Sequence, residues 1–285
     1  VKSCQRTGPP HRKKTELARE MLDVFATWVG GRRVEIAADC AYCNDTVTRG
    51  LPDHFVLFGA MRPDAVLTAL PPKRWRKGGP PKRGRGLPKP EALAKDPGRP
   101  WLTCQATLYG VRRTIRYKTL DAQWYRACGV RLLRLVAVKV EDGAIGLRVF
   151  FCTDATVLVP VILETYAGRW AIEVCFRDLK QLLGFGESSA RKRAAVERTA
   201  PFVGFAHTAL VLWFAEGVHR TSLATPPLRP WHRHKRGLCF ADVLRAAQRT
   251  LLPLDVLDPR RSLANLRRSS RRAGHPGEDR IRLAA

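Results

Sequence analysis

From Tyr166 to Leu183 the polar and apolar side chains divide between two arcs of one helix, and no other segment limits the fold as tightly. At about 100° per residue, Tyr166, Arg169, Glu173 and Lys180 fall within an arc of roughly 60°. Ile172, Phe176, Leu179 and Leu183 take the neighbouring arc, at roughly 220–280° on the same scale, with Cys175 and Leu182 beyond it. A helix docked by that apolar arc holds one hydroxyl, two cations and one carboxylate along the lip of a cleft. There Glu173 can ligate a metal, and Arg169, Lys180 and Tyr166 can meet phosphates. The plain alternative is a solvated face in which Glu173 pairs with Arg169 and Arg177 at i±4.

Charge favours the first reading. Lysine and arginine number 51 against 25 acidic residues, a formal charge of +26. Self-repulsion on that scale calls for a polyanionic partner, nucleic acid before an anionic membrane surface. Arginine dominates the basic set and suits forked recognition of phosphate. A hydrophobic fraction of 45% is that of a globular chain. The most apolar run, Phe202–Phe214, reads as a buried core helix, being shorter than the ~20 residues a bilayer requires. With no hydrophobic signal core between Val1 and Pro10, a cytoplasmic protein without membrane contact is expected. Cys40 and Cys43 form a lone C-x-x-C with no second pair, so they read as small apolar residues at a strand end. His232 and His234 read as part of a basic loop.

The remaining segments punctuate clearly. After a basic arm over residues 1–14, Thr15 is placed to cap a helix running to Val29, with Leu17, Met21, Val24, Phe25 and Trp28 on one face and Gly30-Gly31 as its stop. Val34–Ala38 alternates as a strand and ends at Asp39, which is how an α/β sheet presents a carboxylate at a strand's carboxyl edge. Phe55–Ala60 reads as a second strand. The stretch 71–90 holds eight basic residues, six prolines, four glycines and no acid. It predicts an exposed mobile loop whose Lys73, Arg74, Arg76, Lys77, Lys82, Arg83 and Arg85 neutralise phosphates. Four β-type runs follow, Trp101–Leu108, Val111–Tyr117, Leu132–Val140 and Ile145–Cys152, the last two joined by a turn at Asp142-Gly143. Helices are expected over Val196–Val218 and Phe240–Leu251, then an arginine-rich tail.

The order Tyr166-x-x-Arg169-x-x-x-Glu173-x-x-x-x-x-x-Lys180, with Arg169-Trp170-x-Ile172-Glu173 inside it, resembles the signature of DDE transposases of bacterial insertion sequences, in the branch defined by a Tyr, Arg, Glu, Lys helix. Val34–Tyr42, in which Asp39 follows a strand, is similar to the segment bearing that family's second catalytic aspartate. The resemblance implies an α/β fold: an RNase H-like catalytic core with a β-rich insertion and C-terminal helices. The core is expected over residues 1–54, the insertion with its basic loop over 55–152, the catalytic and C-terminal helices over 153–257, and a basic tail over 258–285. It further implies phosphoryl transfer assisted by two Mg²⁺ or Mn²⁺ ions, with Asp39 and Glu173 as catalytic metal ligands. Tyr166, Arg169 and Lys180 would position phosphates of double-stranded DNA, at transposon ends and target, for a homodimer acting on paired ends at the nucleoid. Trp101 or Trp124 is the candidate for receiving a flipped base.

The family's first aspartate lies well upstream of the second. Only 38 residues precede Asp39, and Asp23, inside the first predicted helix, is the one aspartate among them. The expectation is therefore a partial core whose first strands are missing, N-terminally truncated and inactive alone. A catalytically inactive DNA-binding fragment that regulates or inhibits transposition is the alternative. An RNA-binding basic protein fits the charge but not the Tyr166–Lys180 spacing.

Overall fold

The computed structural model describes residues 11–73, 81–140, 146–224 and 237–251, and the chain divides into two compact units, Val1–Arg169 and Trp170–Ala285. Arg74, Arg76, Lys77, the Asp142-Gly143 turn, His232, His234 and the tail lie outside the described residues.

The first unit opens with α1 (Lys14–Val29). Its cap is Lys13, whose backbone N–H donates to Glu16 Oε2 at 2.9 Å, so Thr15 sits inside the first turn instead of capping it. Gly30, at φ +58°, stops the helix as the Gly-Gly pair predicts. The expected apolar face does not form a core: nothing on α1 is buried, and Met21 and Trp28 are 72% and 71% exposed. The helix is tethered instead by Arg19, which donates to the carbonyls of Arg49 and Gly50, and by Phe25 against Phe55.

Then follow β1 (Val34–Ala38), α2 (Asp45–Thr48), β2 (Phe55–Ala60), α3 (Ala92–Lys95), β3 (Leu102–Leu108), β4 (Val111–Gln123), α4 (Tyr125–Cys128), β5 (Leu132–Val140), β6 (Arg148–Cys152) and α5 (Val159–Gly168). The six strands make one mixed sheet in the order β1-β2-β6-β5-β4-β3, with β1 and β2 parallel and every other pair antiparallel. This mixed α/β arrangement agrees with an RNase H-like expectation. The predicted β-rich segment is continuous with the sheet that carries β1, because β6 returns to pair with β2. β4 runs six residues past the Tyr117 expected from the pattern, since it pairs β5 as far as Gln123. Tyr109 and Gly110, at φ +52° and +78°, form the two-residue turn between β3 and β4, with the twist that such hairpins favour.

Period-two alternation gives the sheet two buried faces. On one, Leu57, Leu133, Leu135, Ala137 and Phe151 meet Met61, Leu67 and Leu93 from the long β2–β3 connection, with Trp124 and Cys128. On the other, Val56, Phe58, Ile115, Val136 and Val138 meet Val159, Ile162, Leu163 and Ala167 of α5. β5 feeds both, which is why it reads as a nearly continuous apolar run.

Of the loop 71–90, the described stretch 84–87 is tied to residues 67–69 by backbone hydrogen bonds, which the expectation of a mobile loop did not include. Ala69 N–H donates to Arg85 O at 2.8 Å, Gly84 N–H to Ala69 O at 3.0 Å, and Leu87 N–H to Leu67 O at 2.9 Å. Leu87 packs on the first core face and Pro90 is buried. A Cβ on Gly84 would lie 2.2 Å from Leu70 O, so the close backbone approach needs that glycine. Composition hid these backbone bridges.

The second unit contains α6 (Ala171–Leu182), α7 (Arg193–Ala215) and α8 (Phe240–Leu251). Phe214, Phe240, Val243 and Ala246 form its core, with Leu183, Leu210 and Val211 against them. His207 stacks on Phe240 with ring centroids 4.3 Å apart, and its burial holds it below the usual imidazole range against an opposing pull from Asp178. α7 corrects the buried-helix expectation for Phe202–Phe214: only Val203 and Phe214 are buried on it, while Phe202 and Phe205 are exposed. No helix of the described residues is long and apolar enough to cross a membrane.

Candidate active site at the end of the first strand

β1 ends at Ala38, and a tight turn follows in which Tyr42 N–H donates to Asp39 O at 2.9 Å and Cys43 N–H to Cys40 O at 3.2 Å. Asn44 then caps α2 by accepting from Val47 N–H at 3.2 Å. Cys43 is fully buried and anchors the turn; Gly59, opposite Ala38 on β2, makes room for it. A Cβ on Gly59 would lie 2.5 Å from Cys43 Sγ and 2.7 Å from the Phe151 ring. With Cys43 turned inward, Asp39 and Cys40 are left at the surface.

Asp39 is held below the usual carboxylate range, first by a hydrogen bond from the Cys40 thiol. Backbone N–H groups of Cys40 and Ala41 and the positive charge of Arg169 add to this, and partial burial opposes it. The same bond raises the Cys40 thiol. Cys40 and Cys43 are both free thiols.

α5 delivers the next two residues. It packs Ile162, Leu163 and Ala167 on the sheet and so carries Tyr166 and Arg169 back to the carboxyl edge of β1 and β2. Tyr166 is half-buried, its ring 4.7 Å from that of Phe150, and the Arg169 guanidinium lies 5.8 Å from the Tyr166 ring centroid. Burial raises the Tyr166 hydroxyl above the phenol range, Arg169 lowers it, and the Asp39 charge raises it. Asp39, Arg169 and Tyr166 therefore form one electrostatic group in the first unit: an ionised carboxylate, a permanent cation and a hydroxyl that stays protonated.

The single helix expected through Tyr166–Leu183 is two. α5 stops at Gly168 and α6 starts at Ala171; Arg169 and Trp170 keep helical dihedrals between them. Arg169 N–H bonds back to Tyr166 O at 3.1 Å, an i→i+3 contact that tightens the last turn, and Gly168 is a poor helix former at that point. Tyr166 and Arg169 thus belong to the first unit, Glu173 and Lys180 to the second. Glu173 is exposed in the first turn of α6 and Lys180 is exposed in its last, each at the helix end its charge favours. Their seven-residue spacing keeps both on one side of α6. The expected docking arc is displaced, with Asp178 and Leu179 buried and Ile172 and Phe176 exposed. Arg177 reaches Asp178 at 3.2 Å.

Of the basic loop, Lys73, Lys82, Arg83 and Arg85 are exposed, and Arg83 lies 5.9 Å from the Tyr125 ring centroid. Trp124 is only 5% exposed and packs edge-on against Phe151, so it cannot receive a base. Trp101 is partly exposed, with the charged groups of Arg116 and Lys118 at 5.7 and 5.1 Å from its ring. Two residues at the site escaped sequence reasoning. Cys40 was grouped with Cys43 as apolar, although it directly follows the aspartate; Phe150, the platform for Tyr166, has no sequence signal beyond its place in a strand.

The ionised, hard-oxygen carboxylate of Asp39 suits a divalent cation of the Mg²⁺ class. Among the described residues, no group of three or more His, Cys, Asp and Glu is assembled to hold a metal. Asp39 thus fits such an ion as one ligand and needs others to complete it.

No curated protein matches the chain. The family model for the transposase DDE domain matches residues 3–207, a stretch that takes in Asp39, Tyr166, Arg169, Glu173 and Lys180. With an ionised strand-end aspartate on a mixed α/β sheet and most of its length under that match, the chain belongs to the DDE transposase family.

Proposed function

We propose that this protein cuts and joins double-stranded DNA at insertion-sequence ends by metal-assisted phosphoryl transfer, using Asp39 and Glu173 as metal-ligating carboxylates. The observation that supports this best is Asp39 itself: a carboxylate at the carboxyl edge of β1, held below the usual carboxylate range first by Cys40, with Arg169 and Tyr166 beside it. Two bound Mg²⁺ or Mn²⁺ ions would activate the attacking oxygen and stabilise the leaving one. The chain's own groups do the rest. Arg169 and Lys180 bind phosphate oxygens, Arg169 as a fork and Lys180 as a point charge. The protonated Tyr166 hydroxyl donates to a phosphate and orients it. The exposed cations of the 71–90 loop add affinity without reading sequence. Action as a homodimer on paired ends at the nucleoid completes this reading.

A second reading retains the DNA contacts without cleavage, as a transposase-derived regulator. It is favoured by the incomplete ligand set among the described residues. One experiment separates the two. The purified chain is given end-containing duplex DNA and Mg²⁺, alongside Asp39→Asn and Glu173→Gln. Cleavage by the wild type that falls by about 10³-fold or more in both variants, with DNA affinity retained, supports the enzyme. Binding without cleavage in all three supports the regulator.

A further inference from the structure

The β3–β4 hairpin buries one face against α5 through Cys104, Ala106, Leu108, Ile115 and Tyr117. Its other face carries Thr103, Gln105 and Thr107 from β3 and Arg112, Thr114 and Arg116 from β4, all exposed or partly so. No acidic residue occurs between Leu102 and Lys118. A solvated sheet face is ordinarily a mixture of signs. This one places like charges together: Arg116 lies directly opposite Thr103 on one side and Lys139 of β5 on the other, all three exposed. Like charges directly opposite on one face repel, and among the described residues none of Arg112, Arg116 and Lys139 is ion-paired. Trp101 stands against Arg116, and the buried Lys118, which donates to Asp96 O at 2.6 Å, adds positive charge beneath the surface. Gln105 Nε2 donates to Thr114 Oγ1 at 2.7 Å, so the neutral centre of the face is fixed between cations. Arg112 and Arg116 are four residues apart, roughly 13 Å along the strand, close to the ~12 Å width of a major groove.

We infer that this face of β3, β4 and β5 is a second duplex-DNA contact surface, with Arg112, Arg116 and Lys139 on backbone phosphates and the Thr and Gln hydrogen-bonding groups between them. The DNA identity of the polyanion rests on the transposase reading; the surface itself rests on the placement of the three cations.

The test is binding of the full chain to a duplex oligonucleotide over a series of salt concentrations. The triple variant Arg112→Ala, Arg116→Ala, Lys139→Ala is compared with a charge-matched control, Arg12→Ala, Lys13→Ala, Lys14→Ala. Each lost phosphate contact flattens the slope of log K against log salt by about 0.9. The triple variant should flatten it by roughly two to three and the control by less than one, whereas the charge-keeping pair Arg112→Lys, Arg116→Lys should retain most of the slope. Thermal melting of each variant, unchanged from wild type, shows the fold to be retained. A slope equal to wild type in the triple variant, or equal flattening in the control, overturns the inference while leaving the cleavage result untouched. A wild-type chain that binds no duplex overturns both it and the transposase reading.

Discussion

The Cys40 thiol donates to Asp39, so how far the pH must fall before the metal-ligating candidate loses its charge depends on its sequence neighbour. A carboxyl depressed in the folded state stabilises the fold above its ordinary range, and that contribution is lost as pH falls through the folded value. For catalysis the same sign holds: Asp39 must be ionised to ligate a cation. Cys40→Ala removes the largest depressing contact, moves Asp39 towards its ordinary range and shifts the acid limb of metal-dependent cleavage to higher pH. Cys40→Ser, which keeps a donor at the position, should leave the limb near wild type. A pH–rate profile of the three proteins decides it; an unmoved acid limb in Cys40→Ala means that the thiol does not set the Asp39 charge. The aspartate itself was legible, because a strand of alternating residues ends on it. The role of Cys40 was not, since a thiol beside an acid has no spacing pattern to betray a hydrogen bond.

At the scale of elements, β1, β2 and α8 were legible to the residue, because β1 alternates, β2 is a short apolar run behind the Pro52-Asp53 turn, and α8 keeps a period of 3.6. The break between α5 and α6 was not, since hydrophobic periodicity runs straight through Gly168–Trp170 and only the backbone bonding interrupts it. The pinned part of the 71–90 loop was hidden for a related reason: main-chain bridges to residues 67–69 leave no mark in composition. Gly59 shows how elements fix the site. It lets Cys43 and Phe151 close over β2, and that closure seats the turn from which Asp39 projects. Gly59→Ala forces both side chains to shift and should destabilise the first unit by about 1–3 kcal/mol. Urea denaturation measures this, and a midpoint equal to wild type would show that the turn has slack.

For the molecule as a whole, the +26 charge makes salt the controlling variable. If six or more phosphates are contacted, duplex affinity should fall by about 10³-fold or more between 50 and 200 mM salt. A titration across that range reads it directly, and a near-flat response would remove nucleic acid as the main partner. Charge, strand alternation and the order of Asp39, Tyr166, Arg169, Glu173 and Lys180 are linear properties, so the sequence by itself determined the mixed α/β class, the strongly basic charge and the transposase family. Packing is not linear. Only the tertiary structure decided that the four later strands join the sheet of β1, that α1 and α7 leave apolar residues exposed, and that Tyr166 and Arg169 share a unit with Asp39 while Glu173 and Lys180 lie in the next. Those outcomes depend on which buried faces find partners and where backbone hydrogen bonds close, which the order of residues does not record.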